Sequence, residues 1–243
     1  MAMTKTQVSQ LYVTLFGRAS EKEGNEYWAT HYDNQYEAAK VMLTLDIVKD
    51  YFGDAWNDNK AFIESIYKNT LGKDPAKDQE GVNYWLNELN SLLKEGKSLT
   101  EARAKVVVDL INAVHEYENS DDPEAKAAAL QFKNKVEVSD YTAEKVEKVP
   151  GKTNEEVLQN LKYFKEVIAN VTDDPATVEA AKKKVDEDLV VKNVQLIKDA
   201  DEIKGSVFDD TFKAVVSSLT AENTLNASDK VDGREGNDTM DIF

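Results

Sequence analysis

The sequence predicts a mainly α fold: a helical bundle built from a duplicated helix-loop-helix unit, then a helical hairpin, then a short β-rich C-terminal tail. Three observations predict it. The stretches "LYVTLFGRASEKEGNEYW" (11–28) and "IYKNTLGKDPAKDQEGVNYW" (66–85) are two versions of one pattern. Apolar residues recur at three- and four-residue spacing as far as Ile203, in a chain of 243 residues with only 4 Pro and 10 Gly. From Lys204 the texture changes to Gly, Asp, Asn, Ser and Thr around short apolar runs, as strands and turns require.

In the repeat, Tyr12 matches Tyr67 and Gly17 matches Gly72, both 55 positions apart. Gly24 matches Gly81 and Trp28 matches Trp85, both 57 apart, so the loop "KDPAKDQE" absorbs two residues. Val8, Leu11, Tyr12 and Leu15 form a helical stripe, as do Ile63, Ile66, Tyr67 and Thr70. Gly17 and Gly72 stand where a helix end favours a left-handed residue. The second glycine opens the next helix or admits close backbone, and the Tyr-Trp pair one turn later packs back on the first helix. These positions read as core and turn chemistry. The loop acids Glu21, Glu23, Asp74, Asp78 and Glu80 lack the alternating oxygen ligands and terminal Glu of a calcium loop.

Further helices follow. "YEAAKVMLTLDIVKDYF" puts Ala39, Met42, Leu43, Ile47 and Tyr51 on one stripe, and "LTEARAKVVVDLINAVHEYE" opens with a helix-start signal at Ser98 and Glu101. "SDDPEA" and "TDDPAT" each place Asp before Pro, a cap followed by a first-turn proline. The helix after the first is expected to break near Ser139. "VPGKTN" (149–154) reads as a linker. Beyond it Val157, Leu161, Phe164, Ile168 and Val171 pair with Val178, Ala181, Val185 and Leu189 as an antiparallel hairpin, with Leu196 and Ile203 continuing the stripe. The expected segments are 1–148, 149–203 and 204–243. In the last, "GREGNDTMD" is an imperfect copy of the calcium-binding β-helix nonapeptide, with Arg234 in place of a second Gly. "SVFDDTF" is a more decayed one. Calcium in that fold lies between stacked turns, so no tight site is expected from one copy.

The net charge is -16, with 46 acidic and 30 basic residues, which speaks against nucleic acid, whose phosphates require a basic face. No Cys is present, so there is no disulfide framework or thiolate chemistry. No stretch approaches a membrane span, and the start lacks the apolar core of a Sec signal peptide. His31 and His115 fall on different predicted helices, short of a zinc ligand set. No nucleophile elbow, phosphate loop or HExxH is found. Nothing selects a catalytic carboxylate pair, although glycosidase-type chemistry at scattered carboxylates stays open.

The repeat unit, from Met1 to Tyr141 with "FKNKVEVSDY", resembles a domain near the N-termini of bacterial surface-layer proteins and RTX-type exoproteins. The tail "TLNASDKVDGREGNDTMDIF" is similar to the opening of their calcium-rich β region. The resemblance is closest to surface-layer (S-layer) proteins of the Campylobacter type and weakest over 153–203. It implies type I secretion, location at the cell surface, and a non-enzymatic N-terminal region that anchors the lattice by binding lipopolysaccharide on the outer membrane. It also implies other copies of the chain as lattice partners. The chain would then be the anchoring segment of a longer protein, cut just inside the β region, with calcium confined to the missing part. An acidic chain needs a local answer to an anionic glycolipid. Arg18, Lys22, Lys73 and Lys77 in the repeat loops are candidates for a basic cluster. Tyr32, Tyr36 and Trp56 are candidates for stacking on sugar faces. Calcium bridging is a third route. The competing readings are a self-association module and an exported hydrolase.

Overall fold

The structure, a computed structural model, describes residues 2–219 and 222–243. Met1, Thr220 and Ala221, which fall in the first and last expected segments, lie outside the described residues. The fold is mainly α with a short β portion, and it divides into two compact units, Met1–Lys182 and Lys183–Phe243.

The first unit contains α1 (Lys5–Phe16), α2 (Lys22–His31), α3 (Gln35–Met42), α4 (Asp46–Phe52), α5 (Asn59–Leu71), α6 (Gln79–Lys94), α7 (Leu99–Glu116), α8 (Pro123–Lys145) and α9 (Asn154–Ala169), and most of α10 (Pro175–Lys184). Helix α1 packs against α2, α5 and α8, so Val8, Leu11 and Leu15 are fully buried beside Phe62, Ile63 and Ile66 of α5. The start signals act as read. Thr4 and Ser98 form capping boxes with Gln7 and Glu101, and Asp122 caps α8 ahead of Pro123. Gly17 (φ 57°) and Gly72 (φ 68°) end α1 and α5 in the left-handed conformation.

Three expectations are corrected. The stretch 36–52 is two helices, not one. At its break the Thr44 hydroxyl donates to the Val41 carbonyl (2.7 Å), a local bond that competes with the helical ladder. Helix α8 does not break at Ser139. That hydroxyl is buried, accepts the Ser20 amide (2.9 Å) and lies 3.0 Å from the Ser20 hydroxyl, so a small polar residue serves the contact with the α1–α2 loop. The segment boundaries also move. Helix α9 belongs with the first unit: the Ala19 amide donates to the Phe164 carbonyl (2.9 Å), and Gln131 and Asn134 of α8 donate to Val171 and Thr172. "VPGKTN" is therefore part of that unit's surface, not a divider.

The second unit begins at Lys183, ahead of the expected 204. A wide turn (Val185–Leu189) leads into β1 (Asn193–Gln195), β2 (Glu202–Lys204), β3 (Thr211–Ala214), β4 (Lys230–Asp232) and β5 (Thr239–Ile242). All pairings are parallel, β1-β3-β5 in one sheet and β2-β4 in the other. Thr211 pairs with Thr239 and Glu202 with Lys230, both 28 positions apart, so the chain coils and stacks successive turns. Leu196 and Ile203 do not extend the hairpin stripe. Leu196 is in the β core with Phe212 and Ala214, and Ile203 packs against it. The two nonapeptide-like stretches lie in register. Asp210 accepts the Lys192 amide (2.5 Å), and the Asp210 amide donates to Asp238 (2.9 Å). Arg234 takes φ 67°, a conformation that favours glycine, and its guanidinium donates to Asp188 (2.7 Å).

Candidate functional site

The repeat encodes a polar knot. In the second copy the Tyr67 hydroxyl donates to Asp78 (2.6 Å), Lys73 reaches the same carboxylate oxygen (3.4 Å), and Asp78 caps α6 by accepting the Gly81 amide (3.2 Å). In the first copy Tyr12 donates to Glu21 (3.3 Å) and Arg18 pairs with Glu21 (2.7 Å). The second glycine of each copy now has a reason. A Cβ on Gly24 would collide with the Tyr12 hydroxyl and Glu21, and one on Gly81 with the Tyr67 hydroxyl. Of each Tyr-Trp pair only the tryptophan packs inward. Trp28 and Trp85 are buried, whereas Tyr27 and Tyr84 are exposed and meet them edge-on.

The acids of the two copies differ by one methylene, and the bases are Arg18 in one and Lys73 in the other. Asp78 is short and caps its helix. Glu21 is longer and turns inward, leaving the first amides of α2 to the Val146 and Glu147 carbonyls (both 2.9 Å). The Arg18–Glu21 pair is buried with side chains about one-tenth exposed, against about one-third for Lys73–Asp78. Burial drives the Tyr12 pKa far upward, with the Glu21 charge next in effect. For Arg18, burial opposes the charge, and Glu21 and Tyr12 more than offset it.

Arg18, Glu21 and Tyr12 line a cavity of about 480 Å³. Its walls are otherwise mostly apolar: Phe16, Trp28, Met42, Leu45, Ile47 and Val48, with Tyr51, Val149, Val157 and Leu161. The 148–151 segment is one wall, with Lys148 and Gly151 among the lining residues. Arg18 Nη1 donates to Glu21 and to the Ala19 carbonyl (2.9 Å), while its Nε and Nη2 take no acceptor among the described residues. Lys165 sets its ammonium 4.2 Å from the Tyr51 ring centroid. Burial, then the Arg18 charge, lowers its pKa. Neither Lys148 nor Lys165 has an ion-pair partner among the described residues. Glu23 also lines the cavity, so two carboxylates share it, but Glu21 is engaged by Arg18 and Tyr12.

The residues singled out by sequence are dispersed. Arg18 alone reaches the cavity. Lys22 pairs with Glu147 (2.9 Å) and lines a smaller polar cavity of about 360 Å³ with Lys5, Asn25 and Asp140. Lys73 pairs with Asp78 and Lys77 with Asp74 (4.0 Å), so the four cations are individually neutralised and form no cluster. Tyr32 packs on Trp28 and Tyr36 lies under Lys40. Trp56 lies against the buried Arg103, whose Nη2 donates to the Trp56 carbonyl (2.8 Å). None of these three aromatics lines either cavity. Sequence reasoning missed Tyr51 and Lys148 on the lining, and Lys165 on the Tyr51 ring, because the cavity is assembled from α1, α2, α4, α9 and the 148–151 segment.

Residues 49–112 match the family described as Domain of unknown function (DUF4214). They run from α4 into α7 and hold the second copy of the repeat. No curated protein and no solved structure matches the chain.

The second-copy knot gives a pH prediction. The Tyr67 hydroxyl first, and the Gly81 amide next, hold Asp78 below the usual carboxylate range. A lowered folded-state pKa stabilises above the unfolded value, about 3.9, and the contribution disappears as pH falls through the folded value. Melting curves of the native chain and Asp78→Asn are expected to differ most above about pH 4 and to converge in stronger acid. A constant difference down to the lowest pH would show that the Asp78 charge is not the source.

Proposed function

We propose that this chain is a non-enzymatic anchoring domain of an S-layer protein that binds lipopolysaccharide at the outer membrane, with the Arg18 cavity as the contact site. The observation that carries the reading is the cavity. It has a ligand-sized volume, aromatic and aliphatic walls, and guanidinium hydrogens open to a guest. In a chain of net charge -16, Arg18 and Lys148 on the lining, with the Lys165 ammonium on the ring of the lining residue Tyr51, offer what a phosphate or acidic sugar requires. The order of repeat and parallel β tail supports the same reading, as does the likeness to S-layer and RTX-type exoproteins exported by type I secretion. No helix among the described residues is long and apolar enough to cross a membrane.

The test is titration of the purified chain with lipopolysaccharide from its own strain and from an unrelated strain, with calcium and with chelator. Saturable binding to the matched material, retained in chelator, is expected. Binding seen only with calcium would replace the cation contact by a bridged one. No binding in either condition would overturn the reading.

A further inference from the structure

We propose that the cavity between α1, α2, α4 and α9 binds a single aliphatic chain whose anionic head is held at Arg18, Lys148 and Lys165. The inference takes the cavity as the contact site but does not depend on lipopolysaccharide being the source of the guest.

Two features define the guest. The interior is too apolar for a free phosphate or a bare sugar. Phe16, Met42, Val48 and Leu161 present no hydrogen-bonding side-chain group, Tyr51 spends its hydroxyl on the Phe16 carbonyl, and Tyr12 spends its own on Glu21. A polar guest would lose its hydration there without replacement. The head is defined by charge. Arg18 keeps Nε and Nη2 for an acceptor, and the ring of the lining residue Tyr51 carries the Lys165 ammonium 4.2 Å from its centroid, which brings a second cation to the same cavity wall. Lys148 supplies an unpaired positive charge on the lining. Arg18 and Glu21 balance each other, so Arg18 offers the guest hydrogen-bond donors while Lys148 and Lys165 carry the net positive charge, opposed by exposed Glu23. A small carboxylate or phosphate monoester on a hydrocarbon tail satisfies both features. A cationic or zwitterionic head would leave the lysines unmatched.

The test uses the native chain and isothermal titration calorimetry with alkyl phosphates and alkanoates of rising length, each below its micelle concentration. Matched alkanols, octyl trimethylammonium and inorganic phosphate serve as controls. Affinity is expected to rise about fourfold per added methylene until the cavity is full, then to level off. Binding should carry a negative heat-capacity change. Alkanols should bind about tenfold or more weakly than the anions of equal length. Lys148→Glu and Lys165→Glu should remove most of that preference, and Ile47→Trp, from a half-buried lining position, should abolish binding of every tail. Inorganic phosphate binding as tightly as the alkyl phosphate would overturn the tail. Equal affinity for anion, alcohol and ammonium would overturn the head. If Ile47→Trp fails to fold, the chain-length series on the native protein still decides. Tail binding without lipopolysaccharide binding would end the anchor reading and leave this inference standing. Lipopolysaccharide binding without tail binding would do the reverse.

Discussion

Replacing Gly24 or Gly81 with alanine is expected to destabilise the chain, although alanine is the better helix former. The helix preference favours alanine by about 1 kcal/mol. Against it stands a new Cβ pressed on a buried tyrosine hydroxyl at the third residue of each helix, an overpacking cost of about 1–3 kcal/mol. The clash wins, and in a chain of this size each kcal/mol moves the melting temperature by about 2–4 °C. The decisive comparison is the double variant. In a Tyr67→Phe background the obstructing oxygen is gone, so Gly81→Ala should become neutral or stabilising. Gly24→Ala should recover only in part with Tyr12→Phe, because Glu21 also occupies the space. Thermal unfolding of the four single and two double variants checks this. Additive effects would show that tyrosine and glycine do not meet as described.

Arg18→Met is expected to destabilise the first unit strongly. It strands the Glu21 carboxylate in a site where both partners are about one-tenth exposed, and an uncompensated buried charge of this kind costs about 3–5 kcal/mol. Adding Glu21→Gln should recover much of the loss, since the charge is then gone from both sides. Urea unfolding of the native, single and double variants measures it. The corresponding changes at Lys73 and Asp78 should be far milder, because that pair is about one-third exposed and water screens it. Equal costs in the two copies would contradict the burial difference on which the cavity depends.

The helices were legible because their signals are local. Thr4, Ser98 and Asp122 cap, Gly17 and Gly72 terminate, and apolar stripes mark the buried faces. The repeat was legible too, but its purpose was not. That Gly24 and Gly81 clear space for tyrosine hydroxyls depends on side chains from two helices meeting, which no spacing reveals. Arg18, by sequence a loop candidate for a basic cluster, is buried and paired, because Glu21 follows it into the interior. The hairpin stripe was read too far, through Leu196 and Ile203, because apolar residues of a coiled β unit fell by coincidence at helical spacing. The Asp ladder between turns could be suspected from "FDDTF" and "GNDTM". The parallel register joining them at 28 positions could not.

The proposed lipopolysaccharide contact lies in the Arg18 cavity. Its most direct test is the affinity of the native chain and of Ile47→Trp for lipopolysaccharide of the same strain, with melting curves confirming that both are folded. That placement predicts saturable binding by the native chain and at least a tenfold loss when the cavity is filled, since the buried contacts are forfeited. Undiminished binding by folded Ile47→Trp would contradict it and move the contact to another face of the molecule.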